Sequence, residues 1–153
     1  MAKTHRYAPE VTWTGNTGTG TSGYAAFSRD VEIASAGKPT ILGSADPAFR
    51  GDPARWNPED MLVSSLSVCH MLWFLHLAAM AKVIVTDYVD SPEGFMEESK
   101  PGDALFTSVV LHPKVTTSAP VDVALMAKLH HDAHEKCFIG RSVNFPVTVE
   151  PVS

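Results

Sequence analysis

Two side chains in this 153-residue sequence can act as sulfur nucleophiles, Cys69 and Cys137, set 68 positions apart. A thiolate attacks peroxides and disulfides and binds metals, whereas a thiol is nearly inert, so the surroundings decide what each can do. From spacing alone a lone cysteine is more often a small buried hydrophobe than a reactive group, and both readings stay open. His130, His134 and Cys137 follow at spacings of four and three, which stacks them on one stripe of a helix with His131 beside it. Imidazoles and a thiolate on one face could ligate zinc. Histidine-rich helix faces are more often merely solvated, and no second acidic or cysteine pair completes a zinc pattern.

Cys69 falls in the longest apolar stretch of the chain. Asn57-Pro58-Glu59-Asp60 has the residue types of a helix start: an Asn cap, Pro at the first helical position and two acids near the positive end of the dipole. A helix is expected over residues 57–81, apolar on nearly every face. Its length matches a bilayer span of about 20 residues. Three serines and two histidines inside it, acids before it and no flanking basic clusters argue against a membrane. Such a helix needs protein on all sides, and one small sheet covers only one face, so a partner subunit is expected to cover the other.

Strands are expected at residues 11–14 and 24–33, joined across the Gly/Thr/Ser segment 15–23, and at 38–42. A long loop, residues 46–56, follows; loops of that length are often functional. Residues 83–89, 94–98 and 104–112 are strand-like. Pro120-Val121-Asp122 opens a second helix running to about Cys137, and residues 143–149 supply a last strand. The expected order is β-β-β-α-β-β-α-β, an α+β fold of one domain over residues 1–153. At this length a core forms without disulfide or metal staples. Twelve basic against 17 acidic residues give a net charge of −5, which disfavours nucleic acid and anionic membranes as partners. The polar first residues lack the apolar core of a signal peptide, so the expected location is cytoplasmic.

The segment from Asn57-Pro58-Glu59 to Cys69-His70 resembles the Asn-Pro-Glu…Cys signature of the osmotically inducible protein C and organic hydroperoxide resistance (OsmC/Ohr) superfamily. Ala133-His134-Glu135-Lys136-Cys137 and the upstream Phe27-Ser28-Arg29-Asp30 are similar to its other two motifs, in the same order, and the likeness runs from about residue 12 to 151. It implies an intertwined homodimer around a long buried central helix. The implied activity is that of a peroxiredoxin-like thiol peroxidase without a cofactor or metal. Cys69 corresponds to the peroxidatic cysteine, Cys137 to the resolving one, and Arg29 and Glu59 to the pair that organises the site. A guanidinium beside Cys69 would favour its thiolate and stay charged when desolvated. Attack on the distal peroxide oxygen would release an alcohol and leave a sulfenic acid, which Cys137 would condense to a disulfide. An external dithiol, dihydrolipoyl in part of the family, would then restore the thiols.

Ten residues of continuous helix would separate Glu59 from Cys69 by about 15 Å along the axis. Either the helix breaks after Asp60, or Glu59 and Arg29 of one subunit complete the site around the cysteines of the other. Leu66, Met71, Leu72 and Trp73 surround Cys69 with apolar groups and, with Phe138, are expected to favour organic hydroperoxides. Phe138-Ile139-Gly140-Arg141-Ser142 departs from the superfamily's pattern after the second cysteine, and Arg141 offers an alternative charge there. Cys69-His70 and the loop Phe49-Arg50-Gly51-Asp52-Pro53 are similar to a less characterised OsmC-like branch. His70, about 100° round the helix from Cys69, is expected to be a buried, hydrogen-bonded histidine. Two rival readings remain: a protein that binds a small hydrophobic ligand or senses redox state on this fold, and a metal protein using His130, His134 and Cys137.

Overall fold

The computed structural model of the chain describes residues 2–153, which form two compact units, one ending at Met61 and the other comprising Leu62–Ser153. In the first unit an antiparallel sheet joins β1 (Glu10–Trp13), β2 (Val31–Ala34) and β3 (Ile41–Gly43) in that order. Trp13 lies opposite Val31, and Val31 opposite Gly43. The expected strand at residues 24–33 shortens to β2 because side chains claim the backbone before it. Asn16 Oδ1 accepts from the N–H groups of Gly18 and Gly20 at 2.9 and 3.0 Å, and the Thr17 hydroxyl donates to the Ala26 carbonyl. Such side-chain bonds compete with ladder formation.

The long loop is ordered by the same chemistry. Asp46 accepts the Ala48 N–H at the head of a 3-10 turn at Pro47–Phe49, and Asp52 accepts that of Ala54 at 2.8 Å. A Cβ at Gly51 would collide with the Ala45 carbonyl, so only glycine fits there.

A helix, α1, begins where the sequence signals it. Asn57 Oδ1 accepts the Asp60 N–H at 2.7 Å, and the helix runs unbroken over Pro58–Met80, so no break follows Asp60. It ends in a Schellman arrangement: Lys82 N–H donates to Ala79 and Val83 N–H to Ala78, with Lys82 at φ 60.

The second unit continues with β4 (Val85–Asp90), β5 (Glu93–Lys100), β6 (Asp103–Leu111), β7 (Pro113–Thr117), α2 (Val123–Lys136) and β8 (Val147–Val149). Strands β4 and β7 pair antiparallel; a second sheet has the order β5-β6-β8, with β8 parallel to β6. Four strands thus lie between the helices, one more than the three strand-like segments expected there and two more than the expected order gave. The fourth begins at Pro113, which reads as a breaker but is tolerated as the first residue of a strand. The class is α+β, as expected.

Within this unit α1 buries one stripe at four-residue spacing, Leu66, His70, Phe74 and Ala78. Phe74 and Ala78 pack on Leu129 and Ala133 of α2; Leu66 packs on Val109 and Leu111 of β6. Burying Phe74 and Leu66 fully contributes about 1.5–3 kcal/mol each. The opposite face stays open, with Val68, Leu72 and Met80 exposed by 50, 61 and 73%. By length and composition α1 is apolar enough to cross a membrane. In the second unit it nevertheless serves as a core helix that buries Ser67 and His70 against polar partners.

Candidate active site

Cys69 lies half-buried on α1, and Cys137 is the residue at which α2 stops. Asp122 caps the start of α2 by accepting the Leu125 N–H at 3.1 Å. At the other end Cys137 turns extended while its own N–H still bonds the His134 carbonyl. The chain then enters a short 3-10 turn at Gly140–Ser142, which aims the Gly140 N–H at Cys137 Sγ, 3.3 Å away.

Cys69 and Cys137 are near neighbours, close enough for each thiol to act on the other. Cys137 is 3% exposed, and burial above all pushes its thiol up to about 11, opposed by the Gly140 N–H and helped to a smaller degree by Cys69 beside it. Both cysteines are free thiols. The pair is therefore asymmetric: Cys137 is held protonated and enclosed, whereas Cys69 is the more open of the two.

Trp73, one turn along α1 from Cys69, meets Phe138 edge-on with ring centroids 5.4 Å apart. His76 lies edge-on to the same indole at 5.7 Å, and the Lys136 ammonium stands 5.7 Å from its centroid. Leu72, Trp73 and His76 line a cleft of about 220 Å³. Of the residues expected to form the pocket, Trp73 and Phe138 come together. Leu66 does not join them: with 0% exposure it belongs to the core on β6. Arg141 has an exposed side chain, and its backbone N–H donates to the Cys137 carbonyl.

In the first unit, Arg29 is held by its own segment. Nη1 donates to the Phe27 carbonyl at 2.7 Å and Nη2 to that of Tyr24 at 2.8 Å, while the guanidinium lies 4.1 and 4.7 Å from the two ring centroids. Among the described residues Arg29 and Glu59 form no ion pair, and Glu59 Oε2 is buried without a partner. Arg55, which sequence reasoning passed over, places Nε 3.7 Å from Asp30 and 3.6 Å from Asp52, and its Nη1 is buried and unpaired.

A buried polar cluster in the second unit was also missed in part. His70 is 1% exposed and places Nε2 3.2 Å from Nδ1 of His130, so the expected buried, hydrogen-bonded histidine is present, with a partner 60 residues away. Burial lowers both imidazoles to about 4, so they are neutral at pH 7. Ser67 donates to Asp90 Oδ2 at 2.5 Å, and the His112 backbone N–H donates to Oδ1 at 2.7 Å. Only the burial of His70 had a sequence signal, its place in an apolar helix. The metal reading finds no support: among the described residues no three His, Cys, Asp or Glu side chains converge on a point that could hold an ion, and His130 is spent on His70.

Comparison with known proteins places the fold. The family model for OsmC-like proteins matches residues 51–152. An OsmC-like protein of unknown function from Vibrio cholerae is 33% identical, with 97% of this chain and 100% of that one covered and a TM-score of 0.87. An organic hydroperoxide resistance protein from Legionella pneumophila is 17% identical over 98% of this chain and 97% of its own, with a TM-score of 0.69. That of Bacillus subtilis is 18% identical over 95% and 98%, with a TM-score of 0.65. The last two likenesses are of fold. No curated protein matches the chain.

Proposed function

The chain belongs to the OsmC-like protein family, and from that premise we propose that it is a thiol peroxidase that reduces organic hydroperoxides to alcohols. The observation that carries this reading is the proximity of a half-open Cys69 to an enclosed Cys137 held as a thiol. The Cys69 thiolate attacks the distal oxygen of ROOH; the O–O bond breaks, a proton joins the departing alkoxide, and Cys69 is left as a sulfenic acid. The Cys137 sulfur then displaces hydroxide from that sulfenic acid, its proton leaves with the hydroxide as water, and a Cys69–Cys137 disulfide forms. A dithiol of the dihydrolipoyl class reduces the disulfide and is itself oxidised to a cyclic disulfide. A reducing cytoplasm suits this cycle. The apolar wall of Trp73 and Phe138 supports alkyl or aryl hydroperoxides over hydrogen peroxide.

The working form is a homodimer in which Arg29 and Glu59 of one OsmC-like subunit complete the thiol site of the other. Three features support it: the exposed apolar face of α1 around Val68, Leu72 and Met80, the unpartnered Glu59 Oε2, and the helix geometry that carries Glu59 about 15 Å along the axis from Cys69. The test is peroxide consumption with dihydrolipoamide as reductant. Turnover of cumene hydroperoxide is expected in the parent and absent in Cys69→Ser. Undiminished turnover in Cys69→Ser refutes the assignment. Loss of turnover at dilutions that yield monomers supports the composite site, and a fully active monomer refutes it.

A further inference from the structure

The buried imidazole pair takes no part in the thiol chemistry, yet it fixes what the surface above it offers. His70 Nδ1 is buried without a partner, and His70 Nε2 contacts His130 Nδ1 at 3.2 Å. Each neutral ring carries one proton. A proton on His70 Nδ1 would leave a buried donor unpaired; on Nε2 it is donated to His130 Nδ1 and only a lone pair goes unused, which is the smaller deficit. His130 must then carry its own proton on Nε2. That atom has no hydrogen-bond partner among the described residues, although the side chain is only 6% exposed.

His130 lines two adjoining grooves, which share Ala127 and Pro151 as well. One, of about 460 Å³ between α2 and β8, adds His131, His134 and Thr148 to its wall. The other, of about 250 Å³, is apolar, lined by Val115, Val123, Met126 and Val152. No aspartate or glutamate lines either groove. The surface therefore has a donor-rich end with no acid in its lining that runs into a hydrophobic end; the carboxylate whose charge acts on His130, Asp90, is engaged by Ser67 and the His112 N–H. A dianionic phosphate would call for arginine or lysine, and none is present in the lining.

We propose that this double groove binds a small amphipathic carboxylate, its head on the His130 Nε2–H with His134 and Thr148 and its chain over Met126, Val115 and Val152. The site is built from α2, β7 and β8, contains neither cysteine, and does not depend on the peroxidase reading.

Calorimetric titration of the full-length protein with octanoate, and with octanol as the uncharged probe, tests it. Octanoate should bind at one saturable site at least tenfold more tightly than octanol. His130→Phe should weaken octanoate at least tenfold, which is about 1.4 kcal/mol. Because that variant strips His70 of its partner and can disturb folding, Ala127→Trp at an exposed helical position gives a second test. The indole should fill the groove and abolish octanoate binding, with hydroperoxide turnover unchanged within twofold. Cys69→Ser should bind octanoate like the parent. Absence of saturable octanoate binding, octanoate affinity kept within twofold in Ala127→Trp, or loss of binding in Cys69→Ser overturns the proposal.

Discussion

Acidification should unfold this protein through two particular imidazoles. An unfolded histidine protonates near 6.5, whereas His70 and His130 protonate only near 4 in the fold. Between those values the unfolded chain binds protons that the folded chain refuses, so stability is full above about pH 6.5 and falls as the pH drops toward 4. For one imidazole this linkage amounts to about 2 kcal/mol at pH 5 and about 3 kcal/mol at pH 4. The partner adds to this loss by less than the same amount, because the two rings share one contact and titrate as a pair. The control is the double variant His70→Leu/His130→Leu, which removes both partners of the bond together and should leave stability at pH 7 little changed. Urea unfolding followed by circular dichroism at pH 7 and pH 5 gives the four free energies. The parent should lose at least about 2 kcal/mol more than the double variant over that interval. Equal losses, within about 0.5 kcal/mol, would refute the claim that this pair sets the acid limit.

Other outcomes follow from single contacts. Ser67→Ala leaves a part-buried Asp90 oxygen without its donor and should cost about 1–2 kcal/mol, read as a fall in Tm of roughly 2–6 °C. Lys82→Gly relieves a left-handed residue at the end of α1 and should stabilise by about 0.5–1 kcal/mol in the same melt. Phe138→Ala removes one side of the aromatic wall and should lower kcat/KM for cumene hydroperoxide about tenfold while leaving that for hydrogen peroxide within twofold.

The parts of the fold legible from sequence are those with local causes. Asn57 and Pro58 mark the start of α1 because a cap bond and a fixed φ act within four residues, and Asp122 marks α2 for the same reason. Register and length of strands depend on partners, and there the reading drifts. Residues 24–30 have strand-like types but are engaged by turn bonds, such as that from Ala26 N–H to the Gly23 carbonyl. Residues 143–146 look continuous with β8, yet Pro146 cannot donate to a ladder and the strand is confined to Val147–Val149. In the site, the nearness of Cys69 to Cys137 follows from no spacing in the sequence, and only the family likeness suggested pairing them. The enclosure that holds Cys137 as a thiol depends on the Gly140 turn and on packing around the end of α2. Sixty residues of separation hid the partnership of His70 with His130, and the apolar setting of His70 announced only its burial. Leu66 was misplaced because an apolar residue near a cysteine has the same signature whether it faces a pocket or a core.

The central claim is the division of labour between the two sulfurs, and trapping the first oxidation product tests it most directly. Reduced protein treated with one equivalent of cumene hydroperoxide and then dimedone should, in Cys137→Ser, carry a single dimedone adduct on Cys69 by peptide mass spectrometry. The parent should instead yield the Cys69–Cys137 disulfide with little adduct. An adduct on Cys137 in Cys69→Ser at a comparable rate, or unmodified thiols in the parent, would contradict the account.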